Sequence, residues 1–192
     1  MLHGMIMDRP LLISSLLDYA VTYFGGREIV SVTADAPLHR TDYRTIATRA
    51  KRLANALSGR FGIKPGDRVA TLAWNDHRHL EIYYAVSGMG AVCHTINPRL
   101  FEEQITYIVN HANDRLLFVD PMFWPLVQKL LPKLPSLEQI IVMTTADAMP
   151  DGSDHTALDY ETVLAGEAED FVWPMFDETA ASSLCYTSGT TG

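Results

Sequence analysis

Two cysteines in 192 residues, Cys93 and Cys185, are too few for a disulfide framework. Both lie inside apolar runs that read as strands, where a thiol behaves as a small hydrophobe. No apolar run approaches the roughly 18 residues of a membrane span, and Met1 to Pro10 lacks the charge and cleavage pattern of a signal peptide. A cytoplasmic protein with no membrane span is the expectation. Cationic excess is also missing: 15 Lys and Arg against 23 Asp and Glu give a net charge of −8, which argues against nucleic acid or anionic lipid as partner. There is no internal repeat, low-complexity tract or long run of like charge. What these absences leave is a globular chain with a small-molecule partner, and 47% apolar residues suffice for a real core.

The first third reads as helix, hairpin, helix. Pro10 opens a helical pattern through Phe24, with Leu12, Leu16, Leu17 and Ala20 at three- and four-residue spacing and Gly25-Gly26 as the stop. Glu28 to Thr33 and Leu38 to Arg40 predict a hairpin around Ala34 to Pro37. Thr41 is the expected N-cap of the next helix, whose stripe is Tyr43, Ile46, Ala47, Ala50, Leu53, Ala54 and Leu57. Arg44, Arg49, Lys51 and Arg52 lie mostly off that stripe. Pro65-Gly66-Asp67 has the chemistry of a type II turn.

From Arg68 the pattern alternates. Strands are predicted over Val69 to Trp74, Ala91 to Ile96, Leu116 to Asp120 and Gln139 to Thr144. Helices are predicted between them over His77 to Gly88, Phe101 to Asn113 and Met122 to Leu131. Helices of about a dozen residues between short β-branched runs imply right-handed crossovers. The fold class is therefore α/β, a doubly wound, mostly parallel sheet flanked by helices, with Trp74, Ile96 and Asp120 near one edge. Met149 to His155 reads as a surface loop, Tyr160 to Ala165 as a short helix, and Ala180 to Tyr186 as a last strand.

Several residues invite chemical readings that the spacing weakens. His77 and His79 are two apart on a helix and point in different directions, so a metal site is disfavoured; Asn75-Asp76 caps the helix and the histidines pack or hydrogen-bond. Cys93 and His94 are adjacent on a strand and face opposite sides, so they cannot form a nucleophile and base. Asn97-Pro98 reads as a rigid turn, with an indirect role in shaping a cleft left open. Trp124, Trp173, Tyr83 and Tyr84 read as packing.

The chain ends in Thr187-Ser188-Gly189-Thr190-Thr191-Gly192, a Ser, Thr and Gly loop after a strand. Glycine permits close backbone approach, while amides and hydroxyls can converge on phosphate. The spacing fits neither the P-loop nor the GxGxxG fingerprint, and on composition alone such a loop is more often an ordinary turn.

Tyr186 to Gly192 resembles the opening of the signature motif of the adenylate-forming superfamily: acyl-CoA synthetases, luciferases and peptide-synthetase adenylation domains. Ala73-Trp74-Asn75, His77 to Glu81, Gly88 to Val92 and His94 to Leu100 are similar to medium- and long-chain fatty acyl-CoA synthetases, including ligases for 3-methylthiopropionate. The likeness runs from Asp8-Arg9-Pro10-Leu11 to Gly192. It implies that residues 1–192 are the amino-terminal portion of an adenylation domain, ending inside the phosphate loop.

The implied reaction joins a fatty or related carboxylic acid to AMP from ATP, releases pyrophosphate, and passes the acyl group to CoA. Residue by residue, the resemblance makes Ser188, Thr190 and Thr191 hydroxyl donors and Gly189 and Gly192 points of close backbone approach. Thr187 becomes a contact for Mg²⁺ or phosphate. It assigns no catalytic residue within the chain, because the signature continues with Pro-Lys-Gly and the family's catalytic lysine lies in a later domain. The 192 residues alone are thus expected to be inactive. Alternatives are another adenylate-forming ligase, for aryl or amino acids, and a non-catalytic module pairing with itself as a homodimer through its amino-terminal helix and exposed sheet.

Overall fold

The computed structural model describes residues 4–5, 7–33, 37–153 and 156–187. Helix α1 (Ile13–Phe24) starts later than Pro10 and buries Leu17, with Leu12 just ahead of it, while Leu16 of the expected stripe faces outward. Strands β1 (Glu28–Ser31) and β2 (His39–Asp42) form the antiparallel hairpin, apart from the main sheet. Thr41 is not the N-cap of α2 (Tyr43–Asn55): it pairs with Ile29 in the ladder, so its backbone is committed to the strand. The cap is Asp42, whose carboxylate accepts the Thr45 N–H at 2.8 Å. The stripe Ile46, Ala47, Ala50, Leu53, Ala54 and Leu57 is buried, continuing into a π-helical turn over Ala56–Arg60.

Gly66, at φ +83°, supplies the left-handed conformation of the turn that launches β3 (Arg68–Leu72). There follow α3 (His77–Gly88), β4 (Val92–Thr95), α4 (Glu102–Ala112), β5 (Leu116–Val119), α5 (Trp124–Leu130), β6 (Gln139–Val142), β7 (Ala157–Asp159), α6 (Tyr160–Leu164) and β8 (Ser183–Leu184). The six-stranded sheet has the order β7-β6-β5-β3-β4-β8, and every neighbouring pair is parallel.

The order explains the two layers. From β3 the chain steps one way to β4 through α3; from β4 it steps back past β3 to β5 through α4, and onward to β6 through α5. Right-handed crossovers in opposite directions place their helices on opposite faces. Strand side chains divide accordingly. Val69, Cys93, Leu116, Phe118 and Ile141 join the core under α2, α3 and α6, while Ala70, Leu72, Leu117, Val119 and Val142 join that under α4 and α5.

The second half of the chain also departs from expectation. The span Met122 to Leu131 divides into a 3-10 turn, Pro121–Phe123, and α5, where Pro125 is tolerated in the first turn because its missing N–H would have no partner there. Ala157–Asp159 is an additional edge strand, too short to carry periodicity. The last strand is only Ser183–Leu184, because it pairs with β4 at two positions and its other side is bare among the described residues.

Candidate functional site at the carboxyl edge

The chain leaves β3 toward one face of the sheet and leaves β4 and β5 toward the other, which opens a crevice at their carboxyl ends. Trp74, Asn97 and Asp120 follow these three strands. The Asp120 carboxylate accepts the Trp74 backbone N–H at 2.7 Å, which ties the β3 exit to the β5 exit. Burial raises the Asp120 pKa above the usual carboxylate range, against the pull of that amide. The Trp74 indole N–H donates to Met122 Sδ at 2.9 Å, and the Arg99 guanidinium lies 5.7 Å from the Trp74 ring centre. Asn97 Oδ1 accepts the Arg99 N–H at 3.0 Å, so Asn97-Pro98 is a side-chain-closed turn. A cavity of about 370 Å³ opens beside Trp74, Asp120 and Met122.

Beyond β8, Tyr186 packs its ring 5.2 Å from His94 and 5.9 Å, edge-on, from His111. Its hydroxyl and His111 Nδ1 share a hydrogen bond of 2.6 Å. Thr187 is the last described residue and is exposed at this edge. Ser188, Gly189, Thr190, Thr191 and Gly192, the rest of the expected phosphate loop, lie outside the described residues.

Cys93 and His94 are on opposite faces, as strand alternation requires. The thiol is fully buried and pushed up to about 12 by burial, so it is a packed group and no nucleophile. His94 is fully buried and has its own partner, Asp114 Oδ2 at 2.7 Å from Nδ1. Adjacency in sequence gave no hint of that pairing, since Asp114 enters from the next crossover. His79 bonds Thr71 Oγ1 at 3.0 Å and the Trp74 carbonyl at 3.1 Å, and Asp76 caps α3 by accepting the His79 N–H at 2.8 Å. Among the described residues no cluster of three His, Cys, Asp or Glu side chains is arranged to hold a metal.

A second polar constellation lies under α2, α3 and α6. Fully buried Glu81 accepts from Arg49 Nε at 2.7 Å and from the Tyr160 hydroxyl at 2.8 Å. Arg49 also forks onto both oxygens of Glu161, at 2.9 and 3.0 Å, and Arg78 Nε reaches Glu161 at 3.0 Å. Burial pushes Glu81 up to about 7 even against the adjoining guanidinium. Arg49, expected mostly off the apolar stripe, is thus half-buried and turned onto this carboxylate pair. The legible signal was Glu81 itself, at helical spacing with buried Ala85 and Gly88.

The sheet and its crossovers define a doubly wound parallel α/β domain, with Trp74, Arg99, Asp120 and Thr187 at the carboxyl edge. A family model described as AMP-binding enzyme matches residues 19–192, and the chain belongs to that family. It is 52% identical over 191 residues to 3-methylmercaptopropionyl-CoA ligase of Ruegeria lacuscaerulensis, covering 98% of this chain and 35% of that protein. It is 45% identical to a medium-chain-fatty-acid–CoA ligase of Ectopseudomonas oleovorans, covering 98% and 34%. With a long-chain-fatty-acid–CoA ligase of Thermus thermophilus identity is 43%, covering 97% and 33%. The chain therefore spans about a third of the length of these relatives. The anthranilate CoA ligase AuaEII shares the fold at a TM-score of 0.84 and 22% identity, covering 97% of this chain and 34% of that one.

Proposed function

We propose that residues 1–192 are the amino-terminal portion of the adenylation domain of an AMP-forming acid–CoA ligase acting on a fatty acid or a related short acid. The observation that carries this is the match of nearly the whole chain, at 43 to 52% identity, to three such ligases. The placement of Thr187 after a parallel strand at the carboxyl edge supports it. In this reading Thr187 to Gly192 hold the ATP phosphates: Ser188, Thr190 and Thr191 through hydroxyls, Gly189 and Gly192 through close backbone approach. Thr187 offers Mg²⁺ a hard oxygen donor, the type that ion prefers. Mg²⁺ would neutralise phosphate charge, and CoA would take the acyl group. A cytoplasmic location goes with this reading; no helix among the described residues is long and apolar enough to cross a membrane.

The test is product analysis of the full-length enzyme with 3-methylmercaptopropionate and a series of fatty acids. Acid-dependent release of AMP and pyrophosphate with a CoA thioester as product is expected. Release of ADP, or nucleotide cleavage indifferent to acid, would refute it. A second reading, self-pairing, draws on α1, where Leu16, Tyr19, Tyr23 and Phe24 recur at helical spacing and all are exposed. Sedimentation of the parent against Tyr19→Glu decides it: a dimer lost in the variant is the expected result, a monomeric parent the contrary one.

A further inference from the structure

The β8 ladder ends before the loop begins. Among the described residues Ser183 and Leu184 are the ones that pair with β4, so the ladder does not extend to Cys185, Tyr186 or Thr187. At Tyr186 a side chain takes over. Its ring rests on His94, which Asp114 holds from the far side at 2.7 Å within the core. Its hydroxyl is bound by His111 Nδ1 at 2.6 Å, and the His111 ring stacks at 5.3 Å and 18° on Tyr107, one turn back along α4. Ring face and hydroxyl of Tyr186 are thus set by two groups, His94 on β4 and His111 on α4, each anchored in a regular element.

We propose that His111 is a positioning residue for Thr187, where the chain enters the phosphate-binding sequence, acting through the Tyr186 hydroxyl; this rests on the phosphate-loop reading of Thr187 to Gly192. Donors to a phosphate are effective when they are preorganised, and displacement by about 1 Å can cost up to about 10²-fold in rate. Thr187 follows Tyr186 directly in the chain, so a change in the ring's seat reaches the first residue of the loop across one peptide link.

The experiment uses the full-length enzyme and compares the parent with His111→Phe, Tyr186→Phe, the double variant and His111→Gln. Each aromatic single variant should raise KM for ATP or lower kcat by about two- to tenfold, the range expected for one lost hydrogen bond, with KM for the acid unchanged. The double variant should be no worse than the poorer single one, because both remove the same bond. His111→Gln, which keeps a side-chain partner for the hydroxyl, should recover most of the loss. Multiplying effects, unchanged ATP dependence, or losses falling equally on acid and ATP with a lowered melting midpoint would each overturn the proposal. If His111→Phe does not fold, Tyr186→Phe, which removes a single oxygen, decides alone. A parent that forms no adenylate from ATP would sink the phosphate-loop reading and this proposal together; an active parent with unaffected variants would sink only the proposal.

Discussion

The side chains that fix the interior are those whose partners come from distant segments. Glu81 is the clearest case: its carboxylate is dry, and its charge is matched by Arg49 on a different helix. Removing Arg49 forces Glu81 to give up its charge or sit unpaired and strips Glu161 of its fork, so Arg49→Met should lower the urea midpoint clearly. Adding Glu81→Gln should recover a substantial part of that, and no recovery would contradict the buried-pair account. His77 carries a pH signature. It is held down to about 3, first by burial and then by the charge of His39 stacked 3.7 Å away. Between the ordinary 6.5 and about 3 the unfolded chain binds a proton that the folded chain refuses, so stability from this site is lost as pH falls through that window. His77→Gln should therefore gain on the parent as pH falls below about 6.5, as read from urea midpoints at several pH values. A parent-to-variant gap that stays constant with pH would contradict it. None of these pairings is legible in sequence, because periodicity reports which face of an element is apolar and not which charge from another element meets it.

Elements were legible to the extent that they carry a period or a punctuating residue. His77–Gly88 is bounded by a capping aspartate and the Met89-Gly90 turn, and its expected and observed limits coincide. The short edge strands β7 and β8 carry too few residues to alternate, so no period marks the first and the apolar run Ala180 to Tyr186 overstates the second. The cap of α2 moved by one residue because hairpin register, a pairing property, decides where β2 ends. Asp42→Ala should accordingly lower the urea midpoint more than Thr41→Ala; the reverse order would restore Thr41 as the cap. Gly88 shows why the end of α3 is glycine: a Cβ there would lie 2.8 Å from the Trp173 ring in the segment returning to β8. Alanine would gain about 0.5–1 kcal/mol of helix preference, but overpacking a stiff ring costs about 1–3. Gly88→Ala should therefore destabilise, and Trp173→Leu should relieve it; a stabilised Gly88→Ala would refute the contact.

At the scale of the whole molecule, the parallel sheet and its crevice follow from alternating helices and strands, but the chemistry does not. The residues read as the phosphate clamp are six, of which only Thr187 lies in the described part, and the chain covers about a third of the ligases it matches. Binding at such a loop draws on converging amides, hydroxyls and the helix that usually follows. The isolated 192 residues should consequently show no acid-dependent exchange of pyrophosphate into ATP, and the activity should depend on the loop in the longer protein. Pyrophosphate exchange with the full-length enzyme, its Thr190→Ala variant and the 192-residue chain, side by side, tests this most directly. The account predicts acid-dependent exchange in the first, a loss of about 10²–10³-fold in the second as for other removed donors, and none in the third. Exchange that is undiminished by Thr190→Ala, or that the 192-residue chain sustains unaided, would contradict it.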